Sequence, residues 1–123
     1  MLDTINDTQK AEDFFANKNR FTTGPVEISR KIENGEDDIV TIDVREEDDF
    51  RKGHVPGAIN LPESQWQTLQ GLSRDATNVI YCYSQTCHLA SHAAQFFAQR
   101  GYPVMEMEGG FAAWKENDLE VEK

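Results

Sequence analysis

Residues 78–100 pass from a short apolar segment through a polar loop into a longer segment with helical periodicity. The first part, NVIYC at 78–82, is rich in β-branched and aromatic residues and predicts a buried strand. The last part, HLASHAAQFFAQR at 88–100, predicts a helix with a broad apolar face. That face is formed by Leu89, Ala90, Ala93, Ala94, Phe97 and Ala98. A helix with so broad an apolar face packs against a sheet, so this stretch predicts a layered arrangement of helices and strands.

The same alternation of strands and helices runs along the whole chain. Further strands are predicted at 38–44, 58–60 and 103–107. Helices are also predicted at 3–18, 22–35, 46–53, 63–72 and 109–117. This order indicates an α/β fold with a mainly parallel sheet. No repeat or linker interrupts the 123 residues, so one domain over 1–123 is expected.

The chain is acidic, with 22 Asp and Glu residues against 12 Lys and Arg residues and a net charge of −10. Such a surface repels nucleic acid and anionic lipid, so neither is an expected partner. No apolar run approaches the roughly 20 residues of a membrane-spanning helix, and the N-terminus lacks a signal pattern. We therefore expect a soluble cytoplasmic protein whose two cysteines are thiols rather than a structural disulfide.

Cys82 lies at the end of the predicted strand at 78–82, at the sheet edge where ligands of α/β proteins collect. The loop CYSQTC can direct backbone N–H groups towards one point, and the helix that follows adds its N-terminal dipole. Residues 76–105 contain no Asp or Glu, although a buried strand and helix would exclude acids anyway. Together these features predict a nucleophilic Cys82 with a lowered thiol pKa. The simpler alternative is a small buried side chain.

Other polar residues allow further interpretations. A superficial C-x4-C-H-x3-H spacing runs through Cys82, Cys87, His88 and His92. Because Cys82 ends a strand and no second metal knuckle follows, no metal site is predicted. Asp43 and Arg45 could take part in catalysis, but a structural ion pair is the simpler expectation.

Three separated segments resemble the motifs of the single-domain rhodanese family. They are DVREEDDFRKGHVPGAINLP at 43–62, YCYSQTCHLASHAA at 81–94 and GGFAAW at 109–114. The resemblance covers about residues 24–118, and the preceding helix, within residues 1–20, is similar to an N-terminal extension in a bacterial subset. The family implies a mostly parallel, five-stranded twisted sheet with helices on both faces.

The resemblance also implies sulfurtransferase activity without a metal or organic cofactor. Cys82 matches the family's nucleophile, which attacks a sulfane sulfur and holds it as a persulfide. The residues that would bind the anionic donor are Tyr83, Ser84, Gln85, Thr86, Cys87 and His88. The implied donor is thiosulfate, a persulfide or a polysulfide, and the implied acceptor is a thiol or cyanide.

The loop departs from the family pattern in its charge. Many members have Arg or Lys in this loop, often Arg at its last position, whereas here Cys87 ends a loop without a cation. We therefore expect weak activity with thiosulfate. Cys87 could resolve a Cys82 persulfide by forming a disulfide, or it could simply fill the loop. The alternative function is a non-catalytic binding or redox-sensing module, and the physiological donor, acceptor and oligomeric state stay open.

Overall fold

The computed structural model describes residue 5 and residues 7–123, and in this part of the chain five strands form one sheet. They are β1 (Thr22–Thr23), β2 (Ile39–Asp43), β3 (Ile59–Asn60), β4 (Thr77–Tyr81) and β5 (Val104–Met107). The strands lie in the order β1-β5-β4-β2-β3, and each neighbouring pair is parallel. The α/β fold with a five-stranded sheet is confirmed, and the described sheet is wholly parallel rather than mostly so.

Helices connect these strands. The α-helices are α1 (Thr8–Phe21), α2 (Pro25–Glu33), α3 (Glu47–Lys52), α4 (Leu89–Gln99) and α5 (Gly110–Glu116). The helices predicted at 46–53, 88–100 and 109–117 are confirmed to within one residue at each end. None of the helices in the described residues is long and apolar enough to cross a bilayer.

Helix α1 begins later than the sequence predicted and runs further, to Phe21. The predicted start at residue 3 lies outside the described residues. Helix α1 buries none of its side chains, and Phe14 and Phe15 remain more than half exposed. Its last turn is held by an ion pair of 2.7 Å between Lys18 Nζ and Glu108 Oε2. This helix therefore lies beside the domain and adds nothing to its core.

Two predicted helices need correction. The helix predicted at 22–35 begins only at Pro25, because Thr22 and Thr23 form β1 against β5. A strand of two residues that forms only by pairing with one neighbouring strand is too short to show a periodic pattern of apolar residues in the sequence. The helix predicted at 63–72 is a 3₁₀ helix, Glu63–Thr68, that ends at Leu69 in a left-handed conformation with a φ of 57°. That conformation stops helical propagation.

The core lies on both faces of the sheet, and the alternation of side chains along β4 decides which residues face which helices. Ile80 and Cys82 point to the face covered by α4, where they pack with Phe97. Val79 and Tyr81 point to the opposite face, where the packed residues come from α2 and α5. Cys82 is therefore directed towards α4 by the register of the strand that precedes it.

A buried ionic network joins β2 to β4. Asp43 and Arg45 are 0% and 4% exposed, and their ion pair is 2.8 Å long between Nη2 and Oδ2. The Tyr81 hydroxyl donates to the same Asp43 oxygen at 2.6 Å, and Arg45 Nη2 donates to the Gly53 carbonyl at 2.6 Å. The charges are thus paired and hydrogen-bonded, as a buried pair requires. The structural role expected for Asp43 and Arg45 agrees with this geometry.

Removing the cation should strongly destabilise the fold. We expect Arg45→Met to lower the free energy of unfolding by about 3–5 kcal/mol, because Asp43 is left as an unpaired buried charge. The matched control is Arg51→Met, which breaks the exposed pair with Glu47 and should cost less than about 1 kcal/mol. Urea unfolding followed by circular dichroism measures both. Equal losses in the two variants would contradict the proposed importance of the buried network.

Candidate active site

The loop between β4 and α4 is fixed from the side of α5. The Phe111 amide donates to the Cys82 carbonyl at 2.8 Å, and the Ala112 amide donates to the Tyr83 carbonyl at 2.9 Å. This approach requires glycine at position 110, where φ is +61° and a Cβ would lie 2.7 Å from the Cys82 oxygen. The GG of the sequence motif GGFAAW therefore shapes the backbone on which Cys82 is held.

Cys82 is buried beneath its own loop. The residue is 1% exposed, and its Sγ lies 3.7 Å from the carbonyl oxygen of Cys87. Burial, together with a hydrogen bond to the Cys87 side chain, raises the pKa of the Cys82 thiol to about 11. Backbone hydrogen bonding from the Ala90 and Tyr83 amides acts in the opposite direction but is outweighed. The predicted lowering of this pKa is therefore wrong, because removal of the sulfur from water outweighs the amides.

Cys87 lies closer to solvent and has the opposite shift. Burial acts to raise the pKa of the Cys87 thiol, but the hydrogen bond with the Cys82 side chain reverses that effect and lowers it. The amides of Leu89 and Tyr83 contribute in the same lowering direction. Both cysteines are free thiols that share one hydrogen bond. The interaction with the Cys82 side chain, helped by the amides of Leu89 and Tyr83, therefore favours a thiolate at Cys87 rather than at Cys82.

The other predicted donor-binding residues do not all point to the sulfurs. The Tyr83 hydroxyl donates to Asp49 Oδ2 at 2.7 Å, so its side chain binds α3. Gln85 Oε1 accepts from the Gly109 amide at 2.6 Å, which ties the loop to the turn before α5. The hydroxyls of Ser84 and Thr86 are 3.1 Å apart and belong to the loop itself. His88 is exposed and directly precedes α4.

A carboxylate that the sequence analysis missed lies near Cys87. Glu106 on β5 is paired in register with Ile80, so it shares the face to which Cys82 points. Burial and the nearby charge of Glu108 raise the pKa of Glu106. The acid-free window at 76–105 ends one residue before it. Distance along the chain could not show this neighbour, because the order of the strands brings it there.

A cavity of about 550 Å³ borders the loop on the side of β1 and β5. Its lining includes Gln85 and Gly109 together with the carboxylates of Glu27 and Glu108. Acidic walls disfavour a dianion. Within residues 7–123, no three His, Cys, Asp or Glu side chains are grouped as metal ligands.

The sequence profile described as Rhodanese-like domain matches residues 25–117. A protein named as an HTH-type transcriptional regulator of Mycobacterium tuberculosis is 32% identical over 98 residues, which is 79% of this chain. The match spans only 42% of the length of that regulator, so this chain corresponds to less than half of it.

Two solved structures are similar to this chain in fold as well as in sequence. The BH2092 protein of Bacillus halodurans is 30% identical with a TM-score of 0.85, and the match covers 94% of this chain and 86% of that one. Reduced CoADR-RHD of Bacillus anthracis is 32% identical with a TM-score of 0.65. That second match covers 76% of this chain and 16% of the longer protein.

The contact at Gly110 should be sensitive to a single methyl group. We expect Gly110→Ala to destabilise the protein by about 2–4 kcal/mol, since the Cβ would collide with the Cys82 and Tyr83 backbone. Gly35→Ala is the matched control, because Gly35 has a similar φ of +65° and nothing within 4 Å of its Cβ position. Its cost should be about 1 kcal/mol from the left-handed backbone alone. Thermal unfolding measures the stability of both variants. A larger loss of stability in Gly110→Ala than in Gly35→Ala is the contribution of the steric clash.

The two thiols should differ in reactivity. At about pH 8 we expect iodoacetamide to modify Cys87 at least about tenfold faster than Cys82, because a thiol with a raised pKa is mostly protonated and this one is also buried. Peptide mass mapping at successive times gives both rates. In urea the difference should vanish, since it arises from the folded environment. Faster labelling of Cys82 in the folded protein would contradict the assigned pKa directions.

Proposed function

The chain belongs to the rhodanese-like domain family, and we propose that it is a sulfurtransferase in which Cys82 carries sulfane sulfur as a persulfide. The observation that carries this proposal is the position of Cys82, which directly follows a central strand inside the matched region. The backbone there is fixed by amides of α5, and the amides of Ala90 and Tyr83 act to lower the pKa of the Cys82 thiol. These donors would stabilise negative charge as it develops on the sulfur.

A buried thiol with a raised pKa needs a proton acceptor before it can react. Near neutral pH the Cys87 side chain, whose pKa is lowered by its interaction with Cys82, is placed to take that proton. At about pH 9, hydroxide in solution can take the proton instead, so loading at that pH does not require Cys87. Cys82 Sγ then attacks the sulfane sulfur of the donor. One sulfur–sulfur bond forms, the bond to the leaving group breaks, and sulfite or a thiolate departs. An acceptor thiol or cyanide next attacks the outer sulfur and regenerates Cys82.

The charges around the loop favour a donor with little negative charge. Residues 82–88 include no Lys or Arg, and the half-buried Glu106 lies close by. Dianionic thiosulfate would therefore be held weakly, whereas an organic persulfide or an organic polysulfide carries at most one negative charge on its sulfur atoms. We accordingly propose a small persulfide or polysulfide donor and a thiol acceptor in the cytoplasm, with slow turnover of thiosulfate.

A second candidate function is a binding or redox-sensing module without turnover. Two observations favour it: Cys82 is 1% exposed, and a relative is named as a transcriptional regulator. In such a module, the two thiols would respond to oxidants and the fold would serve a partner. The two functions differ in whether Cys82 accepts sulfur from a donor and then passes it on.

Two single-thiol variants separate these functions. After exposure to inorganic polysulfide at about pH 9, we expect Cys87→Ser to gain one sulfur atom that cyanide removes, because Cys82 is intact. Cys82→Ser should gain less sulfur, because Cys87 then lacks the interaction with the Cys82 thiol that lowers its pKa. Thiosulfate should load Cys87→Ser more slowly than a monoanionic organic persulfide does. Intact-protein mass spectrometry followed by peptide mapping measures each adduct. If Cys87→Ser takes up no sulfur while remaining folded, the sulfurtransferase proposal is wrong.

A further inference from the structure

Cys87 lies against the sulfur that the proposed reaction loads. The Cys87 amide donates to the Ser84 carbonyl at 3.1 Å, and this turn brings residues 82 and 87 together although five positions separate them. Cys82 Sγ donates to the Cys87 carbonyl oxygen at 3.7 Å, and the interaction between the two thiols shifts their pKa values in opposite directions. Cys82 belongs to the apolar cluster beneath α4, and the partly buried Cys87 packs against that cluster. A second thiol is therefore within reach of Cys82 with little movement of the loop.

The two thiols differ in access to solvent. Cys82 is 1% exposed, whereas Cys87 is partly exposed at the end of the loop. An external thiol has to approach a buried persulfide, while Cys87 already lies next to it. When two reacting groups are held next to each other, the effective concentration of the attacking group is very high. Attack by Cys87 is therefore favoured over attack by an external thiol.

We propose that Cys87 is the resolving thiol of the Cys82 persulfide, a role that rests on the proposed sulfurtransferase function. The Cys87 sulfur attacks Cys82 Sγ and forms a Cys82–Cys87 disulfide, while the proton that Cys87 took from Cys82 passes to the outer sulfur. The bond between Cys82 Sγ and the outer sulfur breaks, and the outer sulfur leaves with the bonding electron pair as hydrosulfide. The sulfane sulfur is thereby reduced by two electrons, and the two cysteines supply them.

A thiol reductant completes the cycle. Two small thiols, or one dithiol protein, reduce the Cys82–Cys87 disulfide by two exchange steps and are themselves oxidised to a disulfide. The net reaction converts a sulfane sulfur donor and two thiols into sulfide, a disulfide and the leaving group of the donor. Release of sulfide by this route would then compete with transfer of the outer sulfur to an acceptor thiol. If Cys87 were only a filler of the loop, serine in its place would leave the persulfide equally short-lived.

The fate of one equivalent of sulfur tests the role of Cys87. The wild-type chain and Cys87→Ser are loaded with polysulfide, desalted without added thiol, and followed by intact mass spectrometry and a sulfide assay. We expect the wild type to lose two hydrogen atoms relative to the reduced chain, to release about one sulfide per chain, and to yield a Cys82–Cys87 peptide. Cys87→Ser should retain its added sulfur at least about tenfold longer.

A relocated thiol provides the matched control. The double variant Cys87→Ser with Ser91→Cys has the wild-type number of thiols, but its second thiol is on an exposed position of α4. It should retain the sulfur as Cys87→Ser does. If the wild type keeps its sulfur as long as Cys87→Ser, the resolving role is wrong although the Cys82 persulfide stands. If Cys87→Ser never gains sulfur at about pH 9, where hydroxide can replace Cys87 as the proton acceptor, the persulfide itself is wrong and the resolving role is wrong with it.

Discussion

Two hydrogen bonds from the first turn of α5 determine the shape of the loop on which the candidate chemistry depends. They join the amides of Phe111 and Ala112 to the carbonyls of Cys82 and Tyr83. The Phe111 ring also packs 4.2 Å from the Arg45 guanidinium, so the same residue links the loop to the buried ion pair of β2. Local loop geometry and the stability of the fold are thus joined through one aromatic side chain. All three rhodanese-like sequence motifs therefore meet at Phe111.

The chemistry of the two thiols follows from competition between burial and backbone hydrogen bonding. Both sulfurs receive backbone amides, and the Tyr83 amide contributes to each. Cys82 loses more hydration than its amides restore, while Cys87 gains from the Cys82 hydrogen bond. As the pH rises, the outer thiol, Cys87, is therefore expected to lose its proton before Cys82 does. The pair, rather than either residue alone, determines how the loop reacts.

Local patterns in the sequence predicted much of this molecule, but contacts between distant segments were harder to predict. The β4 strand and α4 follow from apolar periodicity, and the position of Cys82 follows from where β4 ends. The two-residue strand β1 could not be foreseen because it exists only through pairing with β5. Glu106 escaped notice for the same reason, since strand order brings it to the loop. The pKa of Cys82 is raised because its side chain points into the core. The absence of acidic residues from 76–105 carries no information about that direction.

Helix α1 has a different relation to the rest of the chain. It buries no side chain, and its attachment near the sheet relies on Lys18, whose Nζ pairs with Glu108 and whose carbonyl accepts from Thr22 Oγ1 at 2.5 Å. Substitutions along its exposed turns therefore remove few contacts from the folded domain. Natural variation can accumulate in α1 without disturbing the sulfur loop. Substitutions in α1 should therefore leave the sheet and the loop at 82–88 as they are.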